Sequence, residues 1–145
     1  MDYVIRYVKK SDIDQIQKIE EESFPHPFSI NQFLQLYVNY NEIFFVAEKN
    51  KEILGYIVGI MGFRKITVAS IAVKEEWRRK GVATKLIRYF TKKMKTIVKT
   101  LELQVRISNK PAIFFYEGIG FTCKSILRGY YPDKEDAILY CKALC

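Results

Sequence analysis

Residues 75–87 read EEWRRKGVATKLI and follow the apolar run VASIAV at 68–73. Three cations, one glycine and two small residues are packed into the join between a strand and a helix. A solubility face has no use for the glycine. An ordinary helix start favours Asp or Glu in its first turn, to suit the positive end of the dipole. The first N–H groups of a helix are unpaired and form a natural anion site. Gly81 lets backbone approach a phosphate closely, Ala83 adds no bulk, and Arg78, Arg79 and Lys80 add positive charge around the same spot. Neither the GK[ST] of a P-loop nor a dinucleotide fingerprint is present. The residues alone leave two readings open, a phosphate cradle and a merely basic helix start.

Composition sets the limits around that stretch. A chain of 145 residues is expected to form a single domain, 1–145, with a substantial core. Hydrophobic residues at 49% and charged residues at 28% give a soluble globular balance. The longest uncharged apolar stretch, Ile53 to Phe63, is far short of a bilayer span, and the N-terminal residues show no signal-peptide core, so a cytoplasmic protein with no membrane contact is expected. Cys123, Cys141 and Cys145 have no metal-like spacing and His26 is the one histidine, so reduced thiols and no metal are expected. The net charge of +8 points to anionic partners, with a solvated basic surface as the alternative.

The elements alternate in type. Val4 to Lys9 reads as a strand, and Ser11 as the N-cap of a helix with Ile13, Ile16 and Ile19 on one face. SFPHPF (23–28) is a loop, after which Ser29 caps a helix with Phe33, Leu34 and Tyr37 inward. Ile43 to Glu48 and Ile53 to Met61 pair as a hairpin across KNKE, and Lys65 to Val73 is a further strand. Then come a helix from Val82 to about Lys95, a strand from Leu101 to Arg106, and a short helix from Pro111 stopped by EGIG. Strands near Cys123 to Arg128 and Ala137 to Lys142 finish an α/β or α+β layered domain with a mixed sheet.

The stretch IAVKEEWRRKGVATKLI resembles the acetyl-CoA motif of the GNAT (GCN5-related N-acetyltransferase) superfamily: Arg or Gln, two residues, Gly, one residue, Gly or Ala, here Arg78, Gly81 and Ala83. LQVRISNKPAIFFYEGIGF (103–121) resembles its later segment, and RGYYPDKEDAI and IEEESFPHPFS resemble the ends of the ribosomal-protein alanine N-acetyltransferases (RimI type) and of archaeal N-terminal acetyltransferases. The resemblance covers about Ile19 to Leu144. It implies a mixed, mostly antiparallel sheet of six to seven strands, splayed in the middle and flanked by about four helices. It further implies acetyl-CoA as cosubstrate. Backbone amides from Arg79 through Lys80, Gly81, Val82 and Ala83 to Thr84 would hold the pyrophosphate, and Ile71, Ala72 and Val73 the pantetheine arm and acetyl carbonyl. Asn109 would contact CoA, and Tyr116 would face the thiol.

Acetyl transfer from a thioester to an amine needs a neutral amine, a stabilised oxyanion and a proton for the departing thiolate. Tyr116 suits the acid role, with core packing beside Phe114 and Phe115 as the alternative. The departure is Gln104, where the resembled family carries a glutamate base; an amide takes no proton at useful pH. Strand alternation puts Glu102 on the same face, as a water-relayed base or as a salt-bridge partner. Glu20 is a weaker candidate, read as a helix-surface carboxylate, and His26 reads as a surface imidazole. By resemblance Phe28, Tyr130 and Tyr131 line the acceptor groove, though the tyrosines would serve equally to pack their loop. The resemblance implies transfer to the N-terminal α-amine of a protein or peptide, a ribosomal protein among the candidates, by a monomer or weak dimer without direct nucleic-acid contact. The alternatives are a small-amine or lysine acetyltransferase, or a CoA-binding module without catalysis.

Overall fold

The computed structural model describes residues 2–144. The expected reduced thiol at Cys145 lies outside them; Cys123 and Cys141 carry free thiols. Among the described residues the strands are β1 (Val4–Tyr7), β2 (Phe44–Lys49), β3 (Glu52–Met61), β4 (Lys65–Val73), β5 (Thr100–Arg106), β6 (Thr122–Leu127) and β7 (Ala137–Ala143). The helices are α1 (Ile13–Ser23), α2 (Ile30–Tyr40), α3 (Val82–Met94) and α4 (Lys110–Gly118). The strands form one mixed sheet in the order β1-β2-β3-β4-β5-β7-β6. Antiparallel ladders join β1 to β2, β2 to β3, β5 to β7 and β6 to β7. The parallel ladder of β4 with β5 is three pairs long, Lys65–Thr67 against Thr100–Glu102. The mixed, mostly antiparallel sheet with four helices is the architecture expected from the sequence.

The chain divides into two compact units. The first takes the chain up to Met61 together with Val68–Met94. Its core joins Ile13, Ile16 and Ile19 from α1 to Phe33 from α2 and to Phe44, Val46, Tyr56 and Val58 from the sheet. The three-residue step of those isoleucines puts them on one face of a helix, which is why α1 docks there. Asn50 and Lys51 both have positive φ, 50° and 68°, the backbone of a two-residue hairpin turn between β2 and β3. At Gly55 a Cβ would stand 2.9 Å from the Ala72 carbonyl oxygen, so β3 and β4 approach more closely than any side chain allows. The second unit takes Gly62–Thr67 with the chain from Lys95 onward. Its buried residues include Leu101, Leu103, Val105, Phe121 and Tyr140.

Two local expectations meet different outcomes. Ser29 caps α2 as expected, its Oγ accepting from Gln32 N at 3.1 Å while Ser29 N donates to Gln32 Oε1 at 2.8 Å. Ser11 caps nothing. A single 3₁₀ turn, Lys10–Asp12, precedes α1, and the carboxylate of Asp12 takes Lys9 N at 2.7 Å and the Arg6 guanidinium at 2.8 Å. Ser11 thus lies inside helical backbone rather than at a cap, and the Asp12 carboxylate ties the turn back to Lys9 N.

Candidate active site

The chain leaves β4 at Val73 and enters α3 at Val82 through residues 74–81. Ala72 and Val73 are buried and Ile71 half-buried. The Arg78 side chain is tied back onto the protein: Nε donates to the Val73 carbonyl at 2.9 Å and Nη2 to Ser23 Oγ at 2.9 Å. Ser23 Oγ in turn donates to the Ile19 carbonyl at 2.6 Å. Arg78 therefore braces the loop against the last turn of α1, and the exposed Arg79 and Lys80 beside it make no side-chain hydrogen bond among the described residues. Arg79 (φ 63°) and Gly81 (φ 84°) are both left-handed, the kind of backbone from which anion-binding concavities are built. Among the described residues no protein acceptor meets the N–H of Arg79, Lys80 or Gly81, and those of Val82, Ala83 and Thr84 open a helix. A Cβ at Gly81 would meet no protein atom within 4 Å. The glycine answers to its backbone conformation and to whatever lies outside the loop. A row of unpaired donors beside two exposed cations fits the pyrophosphate of CoA.

The second unit carries the other nominated residues. Tyr116, on α4, is 9% exposed, its ring edge-on to Phe115 at 5.1 Å and to Phe121 at 5.6 Å. Burial first, then the neighbouring Tyr131, push its phenol well above the usual tyrosine range. At neutral pH it keeps its proton, as an acid must. Among the described residues no hydrogen bond reaches the Tyr116 hydroxyl. Asn109 caps α4, accepting from Ala112 N at 3.2 Å, so its carboxamide oxygen is already used within the protein. Gln104 is half-buried on β5 opposite Leu139 of β7.

Glu102 is buried and bound by two ammoniums, Lys65 Nζ and Lys124 Nζ, each at 3.0 Å. Burial would raise its pKa; the two lysines outweigh burial and hold the carboxyl below the usual carboxylate range. Such a group keeps its charge and is a poor proton acceptor at neutral pH. Tyr131 stacks on Arg106, whose guanidinium carbon is 4.0 Å from the ring centroid and which also binds Asp133 and Glu135. Half-exposed Tyr130 meets Tyr131 edge-on at 5.1 Å.

Glu20 is not the surface carboxylate that its charged neighbours in EEES suggest. It is 3% exposed and accepts from Tyr56 Oη, from Ser70 Oγ at 2.6 Å and from Phe28 N at 2.9 Å. The available signal was its four-residue step from Ile16, which puts it on the buried face of α1. Phe28 lines an open groove of about 350 Å³ with Asn31, Gln32, Gln35, Leu36 and Asn39. His26 is exposed, as read from its place between two prolines. Among the described residues no cluster of His, Cys, Asp and Glu forms a metal site, and no helix is long and apolar enough to cross a membrane.

Known proteins resemble the chain over its length. An N-alpha-acetyltransferase of Saccharolobus solfataricus is 40% identical, the alignment covering 99% of this chain and 94% of that protein. The crystal structure of Ard1 from Thermoplasma volcanium superposes with a TM-score of 0.95 at 27% identity, over 100% of this chain and 99% of the other. The ribosomal-protein-S18-alanine N-acetyltransferase of Escherichia coli superposes with a TM-score of 0.89 at 28% identity, over 98% and 94%. The profile of the acetyltransferase (GNAT) family matches residues 13–121, and with it the chain belongs to that family of acetyl-CoA-dependent acetyltransferases.

Proposed function

We propose that the acceptor is the α-amine at the N-terminus of a protein or peptide, a ribosomal protein among the candidates. The whole chain, 1–145, then serves as one acetyltransferase domain, working in the cytoplasm as a monomer or weak dimer. The observation that carries this reading is that neither carboxylate nominated as a base is free. Glu102 is bound by two lysines and Glu20 accepts three hydrogen bonds, while Gln104 takes no proton. A base-poor site suits an amine that arrives neutral. An α-amine, with pKa near ~7.7–8.0, is roughly a tenth or more neutral at neutral pH, against about a thousandth or less for a lysine near ~10.4. The N-alpha-acetyltransferase of S. solfataricus and the alanine N-acetyltransferase of E. coli support the same acceptor class.

In this reading the backbone N–H groups of Arg79 to Thr84 bind the CoA pyrophosphate, and the strand end Ile71–Val73 orients the acyl arm. Acetyl-CoA supplies the activated acyl group. Gln104 orients the amine by hydrogen bonding. As the nitrogen bonds to the acetyl carbon and the C–S bond breaks, the buried Tyr116 gives its proton to the thiolate. The proton shed by the nitrogen returns through water to the phenolate. Phe28, Tyr130 and Tyr131 line the acceptor's path.

Thiol release from acetyl-CoA tests the reading across a panel of free-amine peptides, an N-terminally blocked lysine peptide and spermine. Free-amine peptides are expected to lead, with rates climbing between about pH 7 and 8.5 as the amine deprotonates. Gln104→Glu is expected to lift the acidic end and flatten that profile. Tyr116→Phe is expected to lower kcat roughly 100-fold with little change in KM. Preference for spermine or the blocked lysine peptide would overturn the acceptor assignment. Tight acetyl-CoA binding without turnover of any amine would favour a catalytically silent CoA-binding module.

A further inference from the structure

Both backbone polar groups of Phe28 are held by side chains of α1. Its N–H donates to the Glu20 carboxylate at 2.9 Å, and its C=O accepts from Gln17 Nε2 at 3.3 Å. Gln17 and Glu20 stand three residues apart, so they project from the same side of the helix. The Phe28 ring meets Phe33 edge-on at 5.6 Å, and Phe33 meets Tyr56 edge-on at 5.7 Å. The Tyr56 hydroxyl then returns to Glu20. These contacts close a circuit that passes through Phe28 twice, once by its backbone and once by its ring.

Glu20 is buried and, among the described residues, has no cation partner; its charge is met by two hydroxyls and one amide N–H. Burying a carboxylate is costly, and apolar packing would anchor a loop without that cost. A carboxylate offers direction instead: it fixes where one particular N–H points. The N–H chosen belongs to the one α1–α2 loop residue that also lines the groove. Across that groove Asn31, Gln35 and Asn39 lie in a row at four-residue steps on α2. Their neutral carboxamides match the amides of an extended peptide rather than a charged group.

We infer that Gln17 and Glu20 are positioning residues that hold Phe28 as a fixed wall of the acceptor groove, and so determine which acceptors bind. The inference rests on the acceptor-groove reading of Phe28 given above. It makes Glu20 a determinant of acceptor affinity rather than a proton acceptor.

Steady-state kinetics of Glu20→Ala, Glu20→Gln and Gln17→Ala test it, with hydrogen exchange at the Phe28 amide as a readout independent of turnover. Glu20→Ala is expected to raise the acceptor KM roughly tenfold, the effect of one lost charge-assisted hydrogen bond. The acetyl-CoA KM should stay within about twofold. Exchange at Phe28 should accelerate. Glu20→Gln, whose carbonyl oxygen still accepts from Phe28 N, should restore most of the acceptor KM. Gln17→Ala removes a half-buried contact and keeps the test available if Glu20→Ala fails to fold; a smaller rise in acceptor KM is expected from it. Should the wild type prefer a non-peptide amine, the α-amine reading falls, and the clamp still predicts a raised KM for that amine. A fall in kcat with unchanged acceptor KM, or unchanged exchange at Phe28, would overturn the clamp.

Discussion

Glu102 and Glu20 are both buried carboxylates, and they differ in what surrounds them. Glu102 has two ammoniums, which hold its pKa down against burial. A carboxyl with a depressed folded-state pKa adds stability that is present above its unfolded value, near ~4.3, and is lost as pH falls through the folded value. Both lysines are about half exposed, so the pairs are partly screened by solvent. Glu102→Gln is therefore expected to cost about 1–2 kcal/mol at neutral pH, a deficit that shrinks on acidification below about pH 4. Thermal melts of both proteins from neutral pH into acid check this. The pH–rate profile should keep its shape; loss of turnover in a fully folded variant would assign the base to Glu102. The sequence carried the alternation that sets Glu102 and Gln104 on one face of β5. It did not carry the two lysines, which come from positions 37 residues before and 22 residues after.

At the scale of elements, α4, β7 and the loop between β6 and β7 bury three tyrosines, Tyr131 only partly. Tyr140 is pushed up to about 12, by burial first and then by its hydrogen bond to Glu117 at 2.7 Å. Tyr116 and Tyr131 are raised as well, burial being the first cause in each. A folded-state pKa above the unfolded one means that the folded protein holds its proton more tightly. Stability is then full below the unfolded value of ~10 and is lost as pH rises through the folded values. Stability measured from unfolding monitored by circular dichroism should fall steeply above about pH 10, and Tyr140→Phe should blunt that loss. Periodicity was enough to read these elements. The hairpin at Asn50 and Lys51, the Ser29 cap and the whole span of β4 follow from local chemistry. Ser11 failed as a cap because a 3₁₀ turn, held by Asp12 on Lys9 N and Arg6, takes it into helical backbone. Arg78 did not show its partner Ser23, which lies 55 residues away, whereas the Asn109 cap on Ala112 N is a local three-residue pattern that the cap rule could have found. The Arg78 bond to Ser23 exists only once loop and helix are folded.

For the molecule as a whole, the net charge of +8 gathers partly on α3, which carries Lys85, Arg88, Lys92 and Lys93 and no acidic residue. Several of the lysines in this unit rest on rings rather than carboxylates. Lys49 and Lys80 each lie 5.2 Å from the centre of Trp77, and Lys93 lies 5.5 Å from that of Tyr89. Exposed charges of this kind are screened by salt. CoA affinity measured by calorimetry should fall severalfold between about 0.05 M and about 0.5 M salt. Gly81→Val should weaken it at any ionic strength, because the φ of 84° is strained for a branched side chain. Affinity unchanged by either would remove the pyrophosphate from this loop.

The same loop has a consequence for turnover. On the proposed reading its backbone N–H groups bind the CoA pyrophosphate, and that group is identical in acetyl-CoA and in the CoA left after transfer. Contacts of this kind hold reactant and product alike, lowering KM without lowering the chemical barrier. Released CoA would then compete for the loop on nearly equal terms with fresh acetyl-CoA. The rate of acetylation would follow the ratio of the two around the enzyme, making it a gauge of acetyl supply.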